Sequence, residues 1–307
     1  MPIRCWLLIL TLGILWGGSF LMNAVLLREL GPLTVSLGRV GVGAMGCWAW
    51  VWISGRAARL PPRTVGGLFL LGIVFFAIPF ALYPVAQRHL PSGVAGIVNA
   101  MTPVLVVIVS HLWPGGERAM AARALGVATG FAGIVLLSLP YIGAGQMPAL
   151  WAILTALLAP VCYGIATNLA RRFRTLDPSV LAAWSLSGAA LFILPLALIF
   201  DGMPRITRAE TWGALLTIGL LLTSVGFTLF YWLLARAGAT ATSTVTFVAP
   251  ISAVALGVHV LGEPVLWQHL AGMAVIFAGL LMIDGRLVSW LRRGGRLVGR
   301  AKGQPES

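Results

Sequence analysis

The fold this sequence predicts is an all-α membrane protein of ten transmembrane helices, arranged as two inverted five-helix repeats. Three observations lead there. Hydrophobic residues make up 59% of the chain and charged ones 9%, where a soluble globular protein carries about 25% charged residues, so lipid must solvate most of the surface. The chain also repeats itself, and self-similarity at this length decides the architecture. Tyr83, Arg88, Pro103, Glu117, Gly126 and Phe131-Ala132-Gly133 recur in order as Tyr231, Arg236, Pro250, Glu263, Gly272 and Phe277-Ala278-Gly279. The third observation is that each copy holds an odd number of apolar stretches. The second copy must then enter the membrane from the side opposite to the first, an inverted pair of the kind many secondary transporters use.

The stretches run approximately over residues 5–27, 33–53, 65–86, 93–112, 121–140, 148–170, 180–200, 212–235, 240–261 and 266–288. Each is about the twenty residues that a helix needs to cross a roughly 30 Å hydrocarbon core, and strands of a membrane barrel would not give such long uniform runs. The first run continues past Trp16 with no small-x-small cleavage site, which suits a retained helix better than a signal peptide. The repeats are expected to occupy 1–145 and 146–288, followed by a basic tail at 289–307. The upstream parts align more loosely, Trp16-Gly17 and Gly31-Pro32 against Tyr163-Gly164 and Asp177-Pro178.

Arginines set the orientation. With the N-terminus inside, the cytoplasmic side receives Arg4, Arg56, Arg59, Arg63, Arg118, Arg123, Arg171, Arg172, Arg174, Arg236 and the basic tail. The other side receives only Arg28, Arg88, Arg205 and Arg208. Basic residues stay cytoplasmic, so both termini are expected inside an inner (plasma) membrane. The net charge of +13 then belongs to a lipid-facing inner surface, and nucleic acid is not an expected partner. Cys5, Cys47 and Cys162 lie in apolar runs without pairing or metal spacing, so neither a disulfide nor a metal framework is implied.

The ordered motif set resembles the EamA-type transporters of the drug/metabolite transporter superfamily over residues 5–285. The set comprises Leu15 to Phe20, Pro32 with Arg39, Pro103 through Glu117, Gly126 to Gly133, and their second-half partners. The resemblance implies ten helices in two EamA repeats and movement of solutes, commonly export of amino acids or other metabolites. One departure is Trp113-Pro114-Gly115-Gly116-Glu117, where a shorter turn like Leu261-Gly262-Glu263 is more usual.

Candidate site residues follow from what is costly in lipid. Paired helix breaks point to a central site, because proline frees carbonyls that only protein or a wet cavity can satisfy. Pro103 and Pro250 are matched in helices 4 and 9, and Gly13 and Pro160 in helices 1 and 6. Among polar and aromatic residues, Tyr83, Asn99, Asn168 and Tyr231 are candidate cavity-lining groups. Trp184, beside Ser185, is a candidate aromatic wall, with core packing as its alternative. Arg39 lies seven residues past Pro32, roughly 10 Å into its helix. Facing lipid would cost it up to about 2.5–3.5 kcal/mol, so it is expected to face the interior. It then either bonds carbonyls or snorkels outward, or waits for a substrate carboxylate or phosphate, which its planar fork suits. Glu117 and Glu263 each precede a helix and are expected to favour that helix's dipole, with gating or proton transfer as the alternative. His259 is a lone titratable group in a span. Gly13-x-x-x-Gly17 and Gly126-x-x-x-Gly130 are expected to let helices approach closely.

Lys302 is the only lysine and no phosphate-binding loop surrounds it, so this chain is not expected to hydrolyse ATP. No nucleophile elbow or zinc-protease motif occurs, and no cofactor is implied. A membrane enzyme acting on lipid-linked substrates would need clustered acids or a nucleophile–base pair. A non-transporting scaffold would have no use for inward polar residues. The expectation is therefore a secondary transporter, not an enzyme, working by alternating access. Its expected role is export of small anionic or zwitterionic, amino-acid-like metabolites through the bilayer, and a homodimer is left open.

Overall fold

The computed structural model describes residues 3–114, 121–230, 232–233, 236 and 244–283. Regular structure among them is helical: α1 (Ile3–Leu26), α2 (Pro32–Ile53), α3 (Pro62–Ala86), α4 (Ser92–Leu112), α5 (Ala121–Gly143), α6 (Met147–Ala170), α7 (Pro178–Phe200), α8 (Ala209–Phe230), α9 (Val245–Leu261) and α10 (Trp267–Ile283). Seven of these, α1 and α3 through α8, are long and apolar enough to cross a membrane, and the protein is a multi-pass membrane protein. The 22-residue α2 has the length but carries Arg39 amid glycines. α9 and α10 are apolar but 17 residues each in their described parts. Exposed apolar stripes at helical spacing, such as Leu7, Leu10 and Ile14 on α1 and Leu191, Leu194 and Leu198 on α7, form the lipid-facing surface.

The packing maps onto itself when the two halves are exchanged. α5 packs on α10, α2 on α7 and α4 on α9. The contact of α1 with α9 has its counterpart in α6 with α4, and that of α2 with α8 in α3 with α7. Glycines make these seams close. A Cβ on Gly126 would sit 2.7 Å from the Gly279 carbonyl oxygen, and one on Gly133 2.8 Å from that of Gly272. Gly13 and Gly17 do the same for α1, whose Cβ positions would fall 2.3 Å from Val248 and 1.9 Å from Ser252 on α9. Glycine here removes the atom that would otherwise hold the backbones apart.

Three interruptions shape the helices. α4 is broken between Asn99 and Thr102. The cause is Pro103, which cannot donate to the Asn99 carbonyl four residues back; the Thr102 hydroxyl donates to that carbonyl instead, at 2.7 Å. In α3, residues Ile73–Ala77 form a π-helical turn, and in α8 so do Thr217–Val225. With Tyr83 aligned on Tyr231, the first falls inside the second. The α3 turn lies just before Pro79, whose missing amide frees the Phe75 carbonyl. In α8 the hydroxyls of Thr223 and Ser224 donate five residues back to the carbonyls of Ile218 (2.8 Å) and Gly219 (3.3 Å), in competition with the backbone.

The other three expected breaks are absent. α1 runs on through Gly13, α6 through the buried Pro160, and α9 through Pro250 in its sixth position. Gly13 instead serves the α1–α9 approach, its carbonyl accepting from Ser252 at 2.9 Å.

At the end of the bundle where α1 finishes, three carboxylates reach across between the halves. Glu29, after α1, accepts from the backbone amides of Thr207 and Arg208 and from the hydroxyls of Thr207 and Thr211 at the start of α8. Asp201, after α7, accepts from the Thr34 amide of α2 at 2.7 Å. Glu263, after α9, accepts from the Ser92 amide (2.7 Å), the Ser92 hydroxyl (2.8 Å) and the Gly93 amide (3.1 Å) of α4. Glu263 thus caps α4, not the α10 that follows it, whereas Glu117 lies outside the described residues. At the opposite end Arg56 pairs with Asp177, which also caps its own helix by accepting from Ser179 at 2.9 Å.

Candidate functional site

Arg39 is the buried charge around which a site can be built. α2 carries it inward, and Gly43 lets α8 approach so closely that a Cβ there would lie 2.9 Å from Thr223. That approach brings the Thr223 hydroxyl to 3.3 Å from Arg39 Nε, and the Ser19 hydroxyl of α1 accepts from Nη2, also at 3.3 Å. The guanidinium sits over the Phe80 ring of α3, with Cζ 3.7 Å from its centroid, a favourable cation–π placement. Only 7% of the residue is exposed.

Buried in this way Arg39 does not snorkel, and among the described residues it bonds no carbonyl. Its described partners come from both halves of the chain and are neutral. A guanidinium has five N–H donors, and two meet an acceptor among the described residues, both at 3.3 Å, beyond the usual 2.9–3.0 Å.

One face of α3 runs through the site. Phe76 packs edge-on against Phe227 of α8 with centroids 5.3 Å apart. Phe80 covers Arg39, and one turn further Tyr83 meets the break in α4, donating to Asn99 Oδ1 at 2.6 Å. Phe20 of α1 stands edge-on to Tyr83 at 5.3 Å. Tyr163 and Trp16, matched in the repeat, approach Phe75 and Phe227 at 5.6 and 5.8 Å. The result is a largely aromatic enclosure between the halves with one cation in it. Beside it, a cavity of about 620 Å³ between α2, α7 and α8 is lined by Ser224, Phe227, Trp50 and, at the end opposite the three carboxylates, Arg56.

Of the residues expected from sequence, Arg39, Tyr83, Asn99 and Pro103 lie around this enclosure. Two do not. Trp184 faces the α2–α3 connection, donating from Nε1 to the Ala58 carbonyl at 3.0 Å and packing on Trp48, so it forms no wall beside Arg39. Asn168 is buried on α6, donating to Ser110 (3.1 Å) and to the Gly164 carbonyl (2.9 Å), with its Oδ1 unpartnered. Tyr231 lies outside the described residues. Sequence reasoning missed Ser19, Phe80 and Phe227. The available signal was Arg39 itself: a lone cation in a span demands acceptors and rings from other helices, though not which ones.

The EamA-like transporter family model matches residues 3–139 and again 150–284. The "Uncharacterized transporter YoaV" of Bacillus subtilis is 22% identical, covering 89% of this chain and 94% of that protein. The "Probable terminal-alkyne amino-acid exporter" of Streptantibioticus cattleyicolor is 26% identical, covering 92% and 93%. The "Uncharacterized inner membrane transporter YedA" of Escherichia coli K12 is 24% identical, covering 89% and 88%. A crystal structure sharing 21% identity superimposes with a TM-score of 0.66 over 94% of this chain and 99% of its own, a likeness of fold. With both halves matched, the chain belongs to the EamA-like transporter family.

Proposed function

We propose that this protein is a secondary transporter that exports small anionic or zwitterionic, amino-acid-like solutes by alternating access, and that Arg39 receives the solute's acidic group. The observation that carries this reading is the state of Arg39, a permanent charge buried between the halves on two long hydrogen bonds to hydroxyls and a ring face. Burial of a charge costs several kcal/mol unless it is compensated. A carboxylate would supply the bidentate partner that the described residues do not. Tyr83 and Asn99, with the carbonyl freed by Pro103, offer polar groups for the rest of the solute, and the aromatic rings suit its apolar part. The amino-acid exporter among the relatives supports both the solute class and the direction.

In this reading ten helices span the inner membrane as inverted repeats, 1–145 and 146–288, with the basic tail 289–307 and both termini cytoplasmic. The self-mapping helix contacts and the placement of arginines support it. The end carrying Glu29, Asp201 and Glu263 then faces outward, and the cavity beside Arg56 faces the cytoplasm. The test is flux in proteoliposomes across amino acids, nucleobases and cationic drugs, with pH and voltage gradients imposed separately. The expected result is movement of zwitterionic or anionic solutes. Movement of cations alone, or of nothing, contradicts the reading.

A further inference from the structure

The acidic residues at the outer end of the bundle suggest more than helix capping. Eight carboxylate side chains occur in the whole chain, and three of them bridge the two halves at this one end. The directions of the helices put them there. α1 and α9 run parallel, Gly13 facing Val248 and Gly17 facing Ser252. α2 and α7 run antiparallel, Gly31 meeting Asp201 and Trp48 meeting Ser187. Each carboxylate is attached to the end of one helix and reaches the start of a helix in the other half: Asp201 and Glu263 accept from first-turn amides of α2 and α4, and Glu29 from the Thr207 and Arg208 amides that lead into α8, where the helix dipole favours negative charge. The lock is reciprocal: the first half supplies Glu29, and the second half supplies Asp201 and Glu263.

We propose that Glu29, Asp201 and Glu263 together form the outer gate, holding the halves shut above Arg39 in the cytoplasm-facing state and separating when the site opens outward. This rests on the alternating-access reading above. The gate is polar at every contact, so once opened its carboxylates and helix ends pass to water without an unsatisfied group. An apolar seal would have no such exchange. The gate also distinguishes its members. Glu263 accepts through both oxygens and Glu29 through both, whereas a glutamine has one acceptor; Asp201 accepts the Thr34 amide through one oxygen, a role asparagine can keep.

The test is outside access to a reporter one turn above the site. Asn23, buried on α1 between Ser19 and the outer end, is replaced by Cys in a chain whose Cys5, Cys47 and Cys162 are alanines. An impermeant maleimide is then applied to right-side-out vesicles. Labelling should rise on the order of tenfold in Glu29→Gln and in Glu263→Gln, the shift expected when about one charge-assisted hydrogen bond is lost. Asp201→Asn should have a smaller effect and the triple variant the largest. A triple variant that inserts normally and labels like its parent overturns the gate. Should the triple variant not accumulate, Gly31→Cys with Asp201→Cys decides. Gly31 lies against the Asp201 side chain, which a Cβ there would overlap, so a small outward shift of the two helix ends brings cysteines at these places within reach of a disulfide. Once oxidised, this pair should hold labelling at the low parental level even beside Glu263→Gln. High labelling with the disulfide intact overturns the gate. Solute flux in the same vesicles is scored separately: a parent that moves nothing contradicts the transporter reading, while the labelling still reports whether these carboxylates close the outer end.

Discussion

Arg39 and Ser185 occupy matched places in α2 and α7, and the structure treats them in opposite ways. Arg39 gathers Ser19, Thr223 and Phe80 around its guanidinium. Ser185 is fully buried, its hydroxyl has no hydrogen-bond partner among the described residues, and its carbonyl oxygen lies 1.8 Å from where a Cβ on Gly72 would be. The duplication has kept the packing, since helix contacts map onto one another across the halves, and has let the chemistry diverge. Symmetric apolar contacts make the frame, and the buried Arg39, with no counterpart at Ser185, breaks its symmetry.

The strongest way to break that comparison is to restore symmetry with Ser185→Arg. The second guanidinium would stand where backbone is already in contact and no acceptor is in place. An uncompensated buried charge costs on the order of 3–5 kcal/mol, so folded protein recovered after detergent extraction should fall steeply. A smaller effect is expected from the prolines. Pro103→Ala restores an amide for the Asn99 carbonyl and straightens α4 at the site, so flux should drop several-fold with expression intact. Pro250→Ala acts within a helix that is already continuous and should drop it less. Equal flux in both would return Pro103 to a tolerated kink.

Two weaker effects sharpen the contrast. The hydrogen bonds that Glu29 accepts from the Thr207 side chain, then from Thr211 and from the Thr207 and Arg208 amides, lower its carboxyl from 4.5 to about 2. A depressed value means that its contribution is complete above about 4.5 and is lost only as pH falls toward 2. The difference in thermal unfolding midpoint between the parent and Glu29→Gln should therefore stay constant from pH 8 to pH 5 and shrink only in stronger acid. The least change is expected for Ser185→Ala. It removes a polar atom that is buried without a partner, so the midpoint should hold or rise slightly, by an amount equivalent to about 1 kcal/mol at most, and flux should not move.

Much of the frame was legible in the sequence because it rests on local properties. Apolar runs mark the helices, the recurring Pro, Glu and Phe-Ala-Gly mark the duplication, and small residues at four-residue spacing mark the close seams at Gly13 and Gly17 and at Gly126 and Gly130. The cost of a charge in lipid was enough to turn Arg39 inward. What the sequence left hidden depends on partners distant along the chain. Trp184 turned out to close a loop through Ala58, a choice made by tertiary hydrogen bonding and not by its helix face. Glu263 was assigned to the nearest helix start, but the fold brought α4 closer. The π-helical turns were missed because α8 carries no proline there and forms its turn with hydroxyls that in isolation read as ordinary back-bonding threonine and serine. Gly13, Pro160 and Pro250 were read as breaks because proline and glycine loosen an isolated helix, yet packing on both sides holds these three continuous.

The central claim, that Arg39 receives the acidic group of the solute, is tested most directly by transport affinity in Arg39→Lys and Arg39→Ala, measured with an acidic solute and with its neutral ester. Lysine keeps the charge and loses the planar fork, and alanine loses both. With the acidic solute, apparent affinity should fall about tenfold in Arg39→Lys and about a hundredfold in Arg39→Ala, in line with the loss of one and then more charge-assisted hydrogen bonds. Affinity for the ester should hardly change, and both variants should insert normally. If Arg39→Ala abolishes folded protein while Arg39→Lys restores it with unaltered affinity, the guanidinium is a structural tie between the halves and the solute assignment is wrong.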